Sequence, residues 1–204
     1  MGVAIRRARE ADREAVTRLL DEAFRDDPVS SWVFPGREAR LVKHPLLMGA
    51  FLDVALSEGY VDLAEDGSAA ALWLSVPAGE PEEPDDGPAL MRQAVDPDNE
   101  RVEAVGRLTA AAHPSERPHE YLMLIAVSPQ RQGEGLGTAL IQQVLERCDR
   151  EGLPAYLEAS SARSRGLYER LGFAFPGRTV DLPEGPPMWP MWREPRGGTA
   201  SPES

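Results

Sequence analysis

Three glycines at alternate positions, Gly133, Gly135 and Gly137, stand between an apolar segment and an amphipathic one, and no other feature constrains the fold as much. Tyr121 to Val127 is almost wholly apolar, which predicts a strand covered on both faces. Leu136 to Glu151 places Leu140, Ile141, Val144, Leu145 and Cys148 on one helical face. The join is therefore strand, glycine-punctuated loop, helix. The first turn of a helix leaves its N–H groups unpaired and carries partial positive charge. Glycines there let a ligand approach the backbone closely, so the segment reads as an anion site suited to a pyrophosphate. The alternative is that the glycines only make a tight turn. The stretch lacks the Gly-Lys-Ser/Thr ending of a P-loop, and its spacing is not that of a dinucleotide-binding fingerprint.

Strands and helices alternate around this unit. Val3 to Ala8 reads as a strand, and a helix from near Asp12 aligns Val16, Leu19, Leu20, Ala23 and Phe24 before Asp26-Asp27-Pro28 ends it. Arg37 to Glu58 has a second helical pattern with a break at Pro45. Tyr60 to Ala64 and Ala69 to Val76 form a hairpin around Asp66-Gly67. Residues 77–88 are rich in Pro, Gly and acidic residues without periodicity, a solvated acidic loop. Leu90 to Ala112 makes one or two helices, and Pro114 to Pro118 breaks the chain again. Ala155 to Ala159 is a strand and Arg163 to Leu171 a helix closed by Gly172. Phe173 to Leu182 and Met188 to Arg193 form a last strand pair, and residues 195–204 read as a frayed tail. This is one α/β domain over residues 1–194, a mixed central sheet flanked by helices.

Composition narrows the function classes. Hydrophobic residues make up 42% of the 204, enough for a core. No apolar run approaches the roughly 20 residues that span a bilayer, and the N-terminus has no signal-peptide stretch. A lone cysteine, Cys148, gives neither a disulfide framework nor a cysteine-based zinc site, and no metal is expected. The net charge of -12 disfavours nucleic acid. It favours a cationic partner such as an amine, or serves only to keep the protein soluble. A soluble cytoplasmic protein with no membrane or nucleic-acid partner is expected.

Gln132-Gly133-Glu134-Gly135-Leu136-Gly137 resembles the Gln/Arg-x-x-Gly-x-Gly/Ala signature of the GNAT superfamily of N-acetyltransferases. Leu167-Tyr168-Glu169-Arg170-Leu171-Gly172-Phe173 is similar to its Leu-Tyr-x-x-x-Gly-Phe helix, and Ile5-Arg6-Arg7-Ala8 is a typical opening. Leu153 to Ser160, Tyr168 to Phe173 and Pro183 to Pro186 further resemble the C-terminal half of puromycin N-acetyltransferase-like enzymes. The resemblance implies a mixed sheet of about six to seven strands. Its two central strands, here 120–127 and 155–159, splay apart at one end. Acetyl-CoA would be the co-substrate, its pantetheine pairing with the backbone of Ile125, Ala126 and Val127. Its pyrophosphate would sit on the amides of Gln132, Gly133, Glu134, Gly135, Leu136, Gly137 and Thr138. Arg131 would meet a phosphate, and Ser161 stands where the family often has a cofactor-contacting Asn.

By the same resemblance Tyr168 is the general acid for the departing thiolate. Glu158 matches the position used by ribosomal-protein alanine acetyltransferases and is a candidate base, or else it binds backbone N–H groups. His119 has the strand parity of the histidine bases in arylalkylamine acetyltransferases, or else is a solvated edge residue. Trp32, Phe34, Trp189 and Trp192 come from regions that build acceptor sites in the family, although such aromatics also serve as core, and Tyr121 is a further substrate-binding candidate. The implied reaction is acetyl transfer to a primary amine of a small molecule (an antibiotic, an aminonucleoside or another metabolite). The amine attacks directly in a ternary complex on a monomer or homodimer. A protein or peptide acceptor, or a non-catalytic acyl-CoA-binding module, are the alternatives. Cys148, on a packing face, takes no part.

Overall fold

The computed structural model describes residues 3–79 and 86–197. Part of the acidic loop (80–85) and the tail from 198 lie outside the described residues. The strands are Ile5–Arg7 (β1), Tyr60–Ala64 (β2), Ala69–Val76 (β3), His119–Val127 (β4), Ala155–Ala159 (β5), Val180–Asp181 (β6) and Pro187–Arg193 (β7). They form one seven-stranded sheet in the order β1-β2-β3-β4-β5-β7-β6, with β4 and β5 parallel and every other pair antiparallel. The helices are Arg13–Phe24 (α1), Pro28–Val33 (α2), Arg37–Glu58 (α3), Gly87–Val95 (α4), Glu100–Ala112 (α5), Leu136–Glu151 (α6) and Ala162–Arg170 (α7).

Alternation along β3 divides the core between two faces. Ala70 and Leu72 pack with α1 to α5, whereas Ala69, Ala71 and Trp73 pack with α6 and α7. In β4 this parity is broken. Leu72 lies opposite Leu124 and Trp73 opposite Leu122, so Met123 is an extra, bulged residue. Met123 and Leu124 consequently share the α1–α5 face, while Ile125 and Val127 turn toward α6. Strands β4 and β5 pair only at Glu120–Ala155 and Tyr121–Tyr156. Beyond Tyr121 that edge of β4 faces a gap.

Three elements differ from their sequence patterns. Helix α3 runs unbroken through Pro45, which costs one backbone bond but leaves Leu47, Met48, Leu52 and Ala55 on the core face. Asp26-Asp27-Pro28 ends α1 but also opens α2, because Pro28 occupies the first helical turn and the Asp27 carboxylate accepts from the Val29 N–H. The last strand pair keeps only Val180–Asp181 as its first member, since Pro176 and Gly177 interrupt the run before it.

Arg193, 3% exposed, fixes the end of β7 to α6 through a bidentate pair with Asp149 (2.8 Å for both bonds) and donates to the Leu171 carbonyl (3.1 Å). Asp149 is part-exposed and keeps the Arg196 N–H, so the loss is that of the charge-assisted bonds and the Leu171 contact, and Arg193→Ala should lower unfolding free energy by about 2 kcal/mol. Urea denaturation with an unchanged m-value would report it.

Candidate active site

The glycine loop folds as its composition requires. Gly133 and Gly135 have φ of 88° and 82°, and a Cβ at either would meet nothing within 4 Å. Both therefore border open space in a backbone conformation other residues adopt poorly. Gly137 differs: a Cβ there would lie 3.4 Å from Val127 Cγ2, so its glycine permits close packing of α6 on β4. Gly135 is the N-cap of α6 and supplies no side-chain cap, which leaves the first-turn amides free.

These amides face a cleft of about 470 Å³ between β4, α6 and α7. Ile125, Val127, Arg131 and residues 132–138 other than Glu134 line it, as does Ser161. Ala126 packs its side chain on the opposite face. Arg131 is held by Glu134 (2.7 Å) and Asp66 (3.0 Å), so its guanidinium braces the loop. The Ser161 hydroxyl is engaged as the N-cap of α7, accepting from the Ser164 N–H at 3.1 Å. Arg163 and Arg170, which the motifs did not single out, line the cleft without an ion pair among the described residues.

A second cavity, about 140 Å³, lies at the splay on the α1–α5 face. Phe24, Val29, Met48, Phe51, Val105 and Met188 give it apolar walls. The two spaces meet at Phe24, Asp27, Ile125, Ser160 and Tyr168, which line both. The Tyr168 hydroxyl forms no hydrogen bond among the described residues. Burial, with Asp27 nearby, raises its pKa, so it keeps its proton at neutral pH. Asp27 accepts from Ser160 Oγ at 2.6 Å, and burial raises its pKa as well.

Glu158 enters the second cavity from β5. Tyr121 donates to its Oε2 at 2.8 Å, whereas Oε1 is buried with no hydrogen-bond partner. Burial outweighs the nearby Tyr121 and Tyr156 hydroxyls, both of which favour the charged form, and pushes the carboxyl pKa up to about 7. His113, at the end of α5, brings Nδ1 to 4.0 Å from Oε1. Its Nε2 lies 3.0 Å from His119 Nε2, and His119 Nδ1 lies 2.8 Å from the Arg117 carbonyl. A carbonyl only accepts, so His119 carries its proton on Nδ1 and accepts at Nε2 from His113. The bare His113 Nδ1 is left facing Glu158. Burial and His119 lower the His113 pKa to about 4, which keeps it neutral.

The structure thus brings Tyr121, Glu158 and Tyr168 around one cavity and leaves other sequence candidates outside it. His119 is buried behind Tyr156 and Trp192. Trp32 donates Nε1–H to the Pro183 carbonyl (2.9 Å) beneath Arg101, and Phe34 packs edge-on against His44, so both are core. Trp189 shares the α6–α7 face with its cross-strand partner Ala159, and its neighbour Met188 reaches the cavity instead. Cys148 is fully buried, its thiol pKa pushed up to about 11.

Residues 68–173 match the model of a family described as the Acetyltransferase (GNAT) family. An uncharacterised N-acetyltransferase of Schizosaccharomyces pombe is 28% identical over 85% of this chain and 75% of its own length. A Corynebacterium glutamicum structure described as histone acetyltransferase HPA2 and related acetyltransferase superposes with TM-score 0.73 at 28% identity, covering 98% of this chain and 100% of that one. Arylalkylamine N-acetyltransferase 2 of Aedes aegypti shares the fold at TM-score 0.69 and 16% identity, covering 95% and 99%.

Proposed function

This chain belongs to the GNAT acetyltransferase family, and from that premise we propose that it transfers acetyl from acetyl-CoA to the primary amine of a small molecule with an apolar body. The observation that carries this reading is Glu158 Oε1, a buried carboxyl oxygen with no hydrogen bond among the described residues, in an apolar cavity that opens at Tyr168 onto the cleft at the N-terminus of α6. The pyrophosphate sits on the first-turn amides of α6, and Arg163 and Arg170 face the remaining phosphate charge. Pantetheine pairs with the β4 edge beyond the splay, as an added strand would.

An ammonium entering the cavity gives its proton to Glu158, whose pKa near 7 suits a base working at neutral pH. His113, kept neutral by burial, presents its bare Nδ1 4.0 Å from the carboxyl group that takes this proton. The neutral amine attacks the thioester carbonyl directly, β4 amides stabilise the oxyanion, Tyr168 protonates the departing thiolate, and the proton then lost by the acetylated nitrogen restores the Tyr168 hydroxyl. A cavity of 140 Å³ compares with the roughly 150 Å³ that holds one benzene ring, so the acceptor carries about one ring or a short alkyl group. An arylalkylamine, the acceptor class for which the Aedes aegypti enzyme is named, agrees with that size. A puromycin-like C-terminal half would furnish the donor side without fixing the acceptor, because the cavity walls come mostly from α1, α2, α3 and α5.

The reading is tested by supplying acetyl-CoA with phenylethylamine, tyramine, hexylamine, an aminoglycoside and a peptide with a free N-terminus, and following thiol release. The monoamines should be acetylated at least tenfold faster than the aminoglycoside or peptide. Peptide acetylation alone would reassign the acceptor, and no release with any amine would reject the transferase reading. Tyr168→Phe removes only a hydroxyl. Turnover should fall about 10²-fold, the low end for a general acid because its raised pKa makes donation less favourable, while acetyl-CoA affinity stays within twofold by titration calorimetry.

A further inference from the structure

Three consecutive helices each bring one polar side chain to a point the transferase reading does not use. Asp21 of α1 lies 2.7 Å from His44 Nδ1, and His44 Nε2 of α3 lies 3.0 Å from Ser30 Oγ of α2. All three are buried, His44 completely. Arg25 donates to the second Asp21 oxygen, so both oxygens of that side chain act as acceptors. Nδ1 of His44 must therefore carry the ring proton, and the Nε2 lone pair accepts from the Ser30 hydroxyl. Phe34 packs edge-on against the imidazole and fixes its plane. Ser30 itself lines the cavity that holds Glu158 and meets the cleft at Tyr168.

We propose that Ser30, His44 and Asp21 form a second, nucleophilic site that gives this protein an acyl-hydrolase activity toward small esters of apolar alcohols. A hydroxyl bonded to a histidine, itself oriented by a carboxylate, is the arrangement that activates serine on unrelated folds. Ser30 Oγ bonds to the ester carbonyl carbon while His44 Nε2 takes its proton. The carbon–oxygen bond to the alcohol breaks, and the alcohol leaves with that proton. Water then attacks the acyl-Ser30 carbonyl, giving its proton to His44, which returns it to Ser30 Oγ as the carboxylic acid departs. The unpaired edge of β4 at Met123, Leu124 and Ile125 lines the same cavity and offers N–H donors to the oxyanion. The cavity size selects a one-ring ester. Amine acetylation does not pass through Ser30, so this activity needs neither acetyl-CoA nor an amine.

The test uses p-nitrophenyl acetate with the intact protein. Wild type should release p-nitrophenol over many turnovers, and Ser30→Ala should release it at least about 10²-fold more slowly. Diisopropyl fluorophosphate should label wild type at one residue, with Ser30 as the modified side chain in peptide mass spectrometry. That readout does not depend on the variant folding. Release no faster than buffer, equal release by a folded Ser30→Ala, or a label on another residue would each overturn the proposal and leave the three groups as a clasp between helices. Amine acetylation measured in the same preparation separates this outcome from failure of the transferase reading.

Discussion

Gly135→Asp should abolish acetyl-CoA binding while leaving the fold intact. Gly135 has φ of 82° at the N-cap of α6, a conformation that Asp tolerates better than most residues. A Cβ there meets nothing within 4 Å, so the side chain has room, and Gly135 itself lines the cleft. It places a carboxylate where the pyrophosphate would sit. Two like charges about 4 Å apart repel by about 4 kcal/mol at the effective dielectric of a protein surface, close to a thousandfold in affinity. Calorimetric titration should therefore show no binding at concentrations that saturate wild type, and the ligand-induced rise in Tm should vanish. Gly135→Ala, which adds no charge, should retain measurable binding. A folded Gly135→Asp that binds acetyl-CoA as wild type does would remove the phosphate site from α6.

Glu158→Gln should lower kcat/KM for the amine by roughly 10² to 10⁴-fold, because it keeps the shape and the bond from Tyr121 but cannot take a proton. In wild type the carboxyl pKa of about 7 should give kcat/KM an acidic limb that rises through that pH, and the variant should lose the limb. Stability supplies an independent readout. The folded-state pKa is raised above the ordinary value of 4.5, so the folded protein binds this proton more tightly than the unfolded chain. The resulting stability is complete below about pH 4.5 and is lost as pH rises through about 7. Glu158→Gln should consequently be more thermostable than wild type at pH 8 while being far less active. An acidic limb retained in Glu158→Gln would assign the base elsewhere, and its loss in His113→Ala would point to that histidine.

Much of this architecture is legible because periodicity and glycine placement are local signals. The bounds of α6 and β5 follow directly from their apolar patterns, and the loop between β4 and α6 follows from Gly133 and Gly135. What escapes the sequence is mostly a matter of which face a residue turns to. The bulge at Met123 reverses the alternation of β4 midway, and no residue type announces it. Pro28 terminates one helix and begins the next, so Trp32 lies on a helix and points into the core rather than in an acceptor loop. The β5–β7 register, set by long-range pairing, turns Trp189 away and presents Met188. His113 sits at a helix end before a Pro-rich break, with nothing local to mark it. Its proximity to Glu158 arises only when α5 packs beside the splay. Ser30, His44 and Asp21 are equally scattered along the chain and meet only when three helices close.

Initial rates measured over a matrix of acetyl-CoA and amine concentrations test the central claim most directly. Direct attack within a ternary complex, with acetyl-CoA in the cleft and the amine beside Glu158, predicts double-reciprocal lines that intersect. Parallel lines would mean that acetyl passes to the enzyme before the amine binds. That result would contradict the account and place a nucleophile, with Ser30 the foremost candidate, on the main path.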